Sequence, residues 1–411
     1  MSITCDVPGL MPLEQAMARI FATLDTIQHT EFIELNNALG RITAEDIVSP
    51  IEVPSFDNSA MDGYAIFSEE PNLASPFTIV GKSFAGEPFT SAIGKGECVR
   101  IMTGGVIPEG ADAVVMQENT ETRNGKVHIN HPPKHGEAIR RAGSDIAIGD
   151  TVLKQGKTIS PIDIGLLASL GLRTVSVVRQ LKVAVFSTGD ELLEAGELLR
   201  PGCIYDSNRA MLSAMLRALN YQVIDFGKVA DDKSKLRETF KLADQQADVV
   251  ITTGGVSVGE ADYTKLILDE LGEIGFWKIA MKPGKPLAFG KLPNSYFFGL
   301  PGNPVSAAAT FVQVARPALA RLAGSTIDKS FSLIAVADCQ FKKRPGRLDF
   351  QRSVCWLDET GVLRVRPFGT QSSGVLSSFS NSNCFTVLEQ QRGNVKAGEQ
   401  VMIQRYDQLL E

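Results

Sequence analysis

Histidine, paired cysteine and excess basic charge are all scarce in this chain, and each scarcity closes a class of function. Lysine and arginine number 41 against 47 aspartates and glutamates, a net charge of −6, so nothing global points to nucleic acid or an anionic membrane. Of four histidines, three form His128-x-x-His131-x-x-x-His135, which runs through Asn130–His131–Pro132–Pro133 and cannot be helical; a surface turn is the expectation there. Only His29 remains, so acid–base chemistry falls to carboxylates and lysines. The six cysteines contain no C-x-x-C, against a zinc ribbon or a disulfide scaffold. No apolar run reaches the ~18 residues of a membrane span. The opening MSITCDVPGLMPLEQ lacks a basic n-region and an apolar core, so a cytoplasmic protein is expected. No G-x-x-x-x-G-K-[ST] occurs, and Gly94–Lys95–Gly96 lacks the third glycine and helix of a dinucleotide fingerprint.

What is present is an alternation of textures along a length that predicts roughly two to four domains. Leu13, Ala16, Met17, Ile20, Phe21 and Leu24 recur at helical spacing, with Pro12 expected in the first turn. From about residue 51 to 139, short β-type runs (FTIV, ECVRIM, AVVMQ, KVHI) are punctuated by Gly, Pro and Asn-Gly turns. Ser160 then reads as the N-cap of a helix with Pro161 at its first position. Between 181 and 328, the runs LKVAVFS, YQVIDFG, ADVVITT, PLAFG and YFFGL alternate with helical patterns around 210–219, 235–244, 263–271 and 305–322. That alternation predicts a central three-layer α/β/α domain with a mostly parallel sheet. Short strands return after 329, as in a small β-barrel. The expected division is 1–50 with 140–180 as an extended helical linker and dimerisation unit, 51–139 as a small β-rich domain, 181–328 as the α/β domain, and 329–411 as a C-terminal β domain.

The chemistry gathers where strands of such a sheet end. After Val249–Val250–Ile251 come Thr252, Thr253, Gly254 and Gly255, then Ser257, Glu260 and Asp262. Glycines there let backbone N–H groups approach a phosphate, while the carboxylates suggest a divalent cation or a general base. In FDNSAMDGYA, Asp57 and Asp62 either face a ligand or form Asx-turns, with Asp62 capping at Gly63. Lys278, Lys282 and Lys285 flank apolar Ile279–Ala280–Met281, so at least one lysine is expected in a cleft. Asn303 and Pro304 after Pro301 read as a helix cap whose amides suit an anion.

FDNSAMDGYA, RIMTGG, FSTGDEL, ADVVITTGGVSVGEADYT, KPGKP, GLPGNPVS and PGRLDFQR, in this order and over essentially the whole chain, resemble the molybdopterin molybdenumtransferase family, which includes the bacterial molybdenum-insertion enzyme and the gephyrin E domain. The 181–325 region alone also resembles molybdopterin adenylyltransferase. The resemblance implies a homodimer with a cleft between the α/β domain of one subunit and the small β domain of the other. It implies insertion of molybdate into adenylylated molybdopterin with release of AMP, Mg(2+) as companion ion, and molybdopterin adenylyltransferase as upstream donor. It implies catalytic roles for Asp62, Glu191, Asp262, Lys278 and Lys282, with Glu191 and Asp262 on the metal. Substrate binding would fall to Thr103, Arg140, Asp145, Asp231, Thr253, Gly254, Gly255, Ser257, Pro301, Pro304, Arg352 and Ser373. RIMTGG carries Gly105 where alanine is common, and the stretch around Ser373 matches less cleanly. Two other functions share these features: adenylyl transfer one step earlier, which needs only the α/β region, and a scaffold, in which the cleft carboxylates would be neutralised.

Overall fold

The computed structural model describes residues 9–69, 73–254, 263–326 and 332–408. Its centre is a six-stranded sheet with the order Gln222–Val229, Lys182–Thr188, Val249–Thr253, Tyr296–Leu300, Pro286–Lys291, Glu273–Lys278. The first four run parallel, and Pro286–Lys291 is antiparallel to both its neighbours. The strand at 273–278 is the one the apolar runs did not announce, because Gly275 and two charged ends interrupt its pattern. Both faces are covered. Val183, Val185, Val249, Ile251 and Phe298 pack against the helices Ser207–Ala218 and Pro304–Leu322, while Ala184, Phe186, Val250 and Phe297 pack against Lys233–Gln246 and Tyr263–Leu271. Two covered faces explain why these strands read as continuous apolar runs. The 304–322 helix carries a π-turn at Phe311–Ala315; Pro317, lacking an N–H, cannot continue the regular bond pattern there.

A mixed six-stranded sheet forms the small β-rich unit, ordered Ala113–Met116, Gly63–Ile66, Glu97–Ile101, Phe77–Ser83, Lys126–Ile129, Thr120–Arg123. Tyr64, Ile66, Phe77, Cys98, Val115 and Val127 fill its core. In the linker region Thr30–Glu34 pairs antiparallel with Thr174–Val178. Ser160 caps the helix Pro161–Ser169 in a reciprocal capping box with Asp163, as the Ser-Pro start predicts. Pro12 stands just outside the Leu13–Thr23 helix rather than in its first turn. That helix sends Ala16 and Ile20, and the Leu24 that follows it, into the α/β core.

At the C-terminal end, five strands close on themselves. Leu348–Leu357 pairs with Leu363–Pro367, then Leu333–Ala337, Gln400–Arg405 and Cys384–Leu388, which returns to 348–357. The closed barrel leaves no free edge within the ring. Its wall is joined to the α/β unit by a short parallel pairing of Met281–Lys282 with Leu348–Asp349. No helix among the described residues is long and apolar enough to cross a membrane.

Candidate active site

The register of the central sheet brings the expected loops to one edge. Thr188 stands beside Val229 and Ser187 beside Thr253, which in turn faces Leu300; Lys278 faces Pro286 at the same end of the antiparallel strands. Across the edge the chain therefore presents Asp231, then Thr188–Glu191, Thr253–Gly254, Leu300–Gly302, and finally the Lys278–Pro286 loop. Gly254 has φ +83°, and a Cβ built on it would lie 2.8 Å from the Thr188 carbonyl oxygen. Gly302 lies in ordinary contact with this turn, a Cβ on it standing 3.9 Å from Gly254 Cα. Backbone meets backbone here, as a site reading a ligand by its amides requires. Asn208 Nδ2 donates to the Gly302 carbonyl at 2.7 Å and pins this loop to the 207–218 helix. Asn303 takes the cap position, but its side chain makes no capping bond; the Val305 N–H donates instead to the Ser373 carbonyl at 3.1 Å.

On one side of this edge the charges are negative. Gly189 is so placed that a Cβ would lie 2.5 Å from Glu191 Oε2, so the Glu191 carboxylate folds back over its own loop. The Asp231 N–H donates to Asp190 Oδ1 at 3.3 Å. Partial burial, and then the negative charges of Asp190 and Glu191, hold the Asp231 carboxyl above the usual carboxylate range. On the opposite side are lysines. Lys278 is exposed at its strand end, while Lys282 Nζ lies 3.4 Å from Asp349 Oδ2 of the barrel.

Arg352 and Ser373 belong to that barrel wall. Arg352 is 1% exposed; its Nη2 donates to the carbonyls of Thr370 at 3.0 Å and Ser372 at 2.9 Å, and its Nε to Ser378 Oγ at 3.1 Å. Burial lowers this guanidinium's affinity for its proton. Its contacts organise the 370–373 loop, whose Ser373 carbonyl receives the start of the 304–322 helix.

The remaining residues gather in the β-rich unit and the 140–145 stretch that follows it. Asp62 Oδ1 accepts from the Thr103 N–H at 2.8 Å and from the Thr103 hydroxyl at 2.9 Å. The backbone bond, then the hydroxyl and the nearby Arg100 charge, hold its carboxyl below the usual range. Asp62 is thus not the cap of a turn at Gly63, which lies in a strand where a Cβ would strike the Val115 oxygen at 1.9 Å. Asp57 accepts from the Ala142 N–H at 2.8 Å and from Arg141 at 2.6 Å. Arg140 pairs with Asn58 across a short antiparallel ladder, and the exposed Asp145 donates its N–H to the Val53 carbonyl. Asp62, Thr103, Asp57 and Arg141 make their side-chain bonds to one another or to neighbours in the β-rich unit and the 140–145 stretch. Among the described residues, none of these bonds reaches the sheet edge carrying Glu191.

Gly255, Ser257 and Asp262 lie outside the described residues. His135 pairs with Asp112 at 3.0 Å, and no group of three or more His, Cys, Asp or Glu side chains among the described residues stands ready to hold a metal alone. The strand-end loops Ser187–Glu191 and Tyr205–Asn208 stand out in the sequence without a role for Asp190 or Asn208, and Arg209 and Asp349 do not stand out there. Asp190 adjoins Glu191, and Arg209 follows the helix-capping Asp206 at the spacing of an i,i+3 pair, so both had a local signal. Asp349 meets Lys282 only through the tertiary fold and had none.

Three family descriptions match the chain in succession: the MoeA N-terminal region (domain I and II) over residues 11–171, a "probable molybdopterin binding domain" over 184–321, and the MoeA C-terminal region (domain IV) over 335–406. A molybdopterin molybdenumtransferase of Haemophilus influenzae is 49% identical over 405 residues, covering 98% of this chain and 100% of that protein. Another, from Nostoc sp., is 33% identical over 410 residues, covering 97% and 93%. The crystal structure of a molybdopterin biosynthesis moeA protein from Pyrococcus horikoshii superposes with a TM-score of 0.83 at 29% identity, covering 97% of this chain and 100% of that one. With matches that run the length of the chain in sequence and in fold, this protein belongs to the molybdopterin molybdenumtransferase family.

Proposed function

We propose that this transferase inserts molybdate into the dithiolene of adenylylated molybdopterin and releases AMP, giving molybdenum cofactor. The observation that carries the reading is the sheet edge itself, with close-approach backbone at Gly254 and the Gly302 loop beside it, between a carboxylate side at Asp190, Glu191 and Asp231 and a lysine side at Lys278 and Lys282. An adenylylated pterin carries phosphates and a soft dithiolene, and molybdate is a dianion. Amides and lysines suit those anions.

Magnesium fits the donor set. Asp190 and Glu191 offer hard carboxylate oxygens, and the crowding of negative charge on Asp231 is what a divalent cation would relieve. Because no all-protein cluster is complete among the described residues, the ion would finish its shell with substrate oxygens and water. Glu191, with Asp262 from outside the described residues, is proposed to hold it. Bound there, it would neutralise phosphoryl charge and polarise the bond that breaks. Thr253, Gly254, Gly255, Ser257, Pro301 and Pro304 shape the pocket for the pterin and its phosphates, and Asp231 faces it across the edge. Arg352 and Ser373 act by holding the loop against the 304–322 helix.

Asp62, Thr103, Arg140 and Asp145 complete the cleft from a second copy. This accounts for a preorganised acidic site that satisfies itself away from the sheet edge. Exposed Phe32, Ile148 and Ile162 supply apolar surface for a homodimer to cover. The division of the chain near 51, 140, 181 and 329 belongs to the same reading. So do a cytoplasmic location, in keeping with the free thiols of Cys98, Cys203, Cys339, Cys355 and Cys384, and an upstream adenylyltransferase as donor. The test is single-turnover reaction of the purified chain with adenylylated molybdopterin, molybdate and Mg(2+). AMP release should keep step with molybdenum incorporation, and chelator should stop both; AMP release with no molybdenum incorporated would overturn the proposal.

A further inference from the structure

The Arg209 guanidinium is only 12% exposed and is shared among three carboxylates. Nε donates to Asp206 Oδ2 at 2.9 Å, Nη1 to both oxygens of Asp225 at 2.7 Å, and Nη2 to Glu194. Each partner belongs to a different part of the site's frame. Asp206 caps the 207–218 helix and accepts from the hydroxyl of Ser187 at the end of the 182–188 strand. Asp225 lies in the 222–229 strand, which leads directly to Asp231. Glu194 closes the loop that carries Asp190 and Glu191. The rest of that loop is stitched to the same frame: the Ile204 N–H donates to the Glu191 carbonyl at 2.8 Å, the Asp206 N–H to the Leu193 carbonyl at 2.8 Å, and Lys228 Nζ to the Leu192 carbonyl at 2.8 Å. One planar, always-charged fork therefore joins the strand leading to Asp231 with the loop bearing Glu191.

We propose that Arg209 is a positioning residue that sets the Asp190–Glu191 loop against Asp231 and thereby determines how tightly this edge holds a divalent cation. The proposal rests on the cation reading above, and its sign separates it from simple electrostatics. If Arg209 acted only as a nearby positive charge, its removal would strengthen cation binding. If it positions the ligands, removal weakens binding, because the loop bearing Asp190 and Glu191 is no longer held through Glu194 against the strand that leads from Asp225 to Asp231.

The experiment is Mn2+ binding to the full-length chain with AMP present to supply phosphate oxygens, read from the free-ion signal in electron paramagnetic resonance against an AMP-only blank. Wild type should bind Mn2+, and Arg209→Met should bind it about tenfold more weakly or worse. Arg209→Lys, which keeps the charge but loses the fork, should fall between them. Arg237→Met, removing a cation that pairs with Glu270 between two helices, should bind as wild type does. An Arg209→Met chain that binds Mn2+ as tightly as wild type, or more tightly, overturns the inference and leaves the cation reading standing. Should circular dichroism show Arg209→Met unfolded, Arg209→Lys decides: weaker binding supports the proposal, and unchanged binding overturns it. A wild-type chain that binds no Mn2+ overturns the cation reading, and the inference with it.

Discussion

Replacing Gly254 with alanine should damage ligand binding far more than folding. The residue sits at φ +83°, where an L side chain costs about 1–2 kcal/mol. The new methyl would stand 2.8 Å from the Thr188 carbonyl oxygen and 3.2 Å from its hydroxyl, and a backbone atom cannot swing aside. Overpacking of this kind adds about 1–3 kcal/mol. The Val249–Thr253 strand is locked between two neighbours and is buried throughout, so it does not move. The loop at 188–191 is exposed from Asp190 onward and is the part that gives way. If about 2 kcal/mol of the strain is relieved by displacing that loop, AMP binding in the presence of Mg(2+) weakens about 30-fold. Calorimetric titration with AMP and Mg(2+), paired with a thermal melt, reads both quantities. Wild-type affinity in the variant would refute the reasoning, and a large fall in melting temperature with affinity intact would place Gly254 in the fold rather than the site.

Two further substitutions probe the supporting frame. Burial alone would raise the Asp248 carboxyl, but the Arg179 fork at 2.6 and 2.8 Å and the Lys182 N–H outweigh it and hold the carboxyl below the usual range. A depressed folded-state value means that its stabilisation is fully present above the unfolded value of about 3.9 and is lost as pH falls through the folded one. Asp248→Asn should therefore lower stability by about 2 kcal/mol at neutral pH, with the difference from wild type shrinking below about pH 4 in denaturant titrations. Arg352→Lys should fail to rescue Arg352→Met. A single ammonium cannot serve the Thr370 and Ser372 carbonyls and Ser378 together, and a melting temperature equal to wild type would contradict this.

How much of this was legible in the sequence follows from the range of each interaction. Glycines, threonines and prolines at strand exits are local signals. Once the apolar runs are read as parallel strands, the carboxyl-end rule brings 188–191, 253–254 and 301–302 together without any structure. The Ser160–Pro161 cap and the 263–271 helix were legible for the same reason. The strand at 273–278 was not, because as the sheet's edge strand it need not be apolar throughout. The Lys282–Asp349 pair bridges 67 residues and two domains, and the Arg209 hub joins three carboxylates from separate elements. Such pairings leave no periodicity to read. From the sequence Asp62 reads equally as ligand or turn cap, and only the fold shows its carboxylate held by Thr103.

The claim that the cleft is built from two chains has a direct test in subunit mixing. On this account Asp62→Asn should inactivate the β-rich contribution and Glu191→Gln the sheet-edge contribution, and each variant alone should be inactive in molybdenum insertion. After exchange of equal amounts, half the dimers are mixed, and each mixed dimer holds one intact cleft of two. Activity should therefore return to about a quarter of wild type. No recovery in dimers shown to have exchanged subunits would place Asp62 and Glu191 in the same chain's cleft and contradict the account.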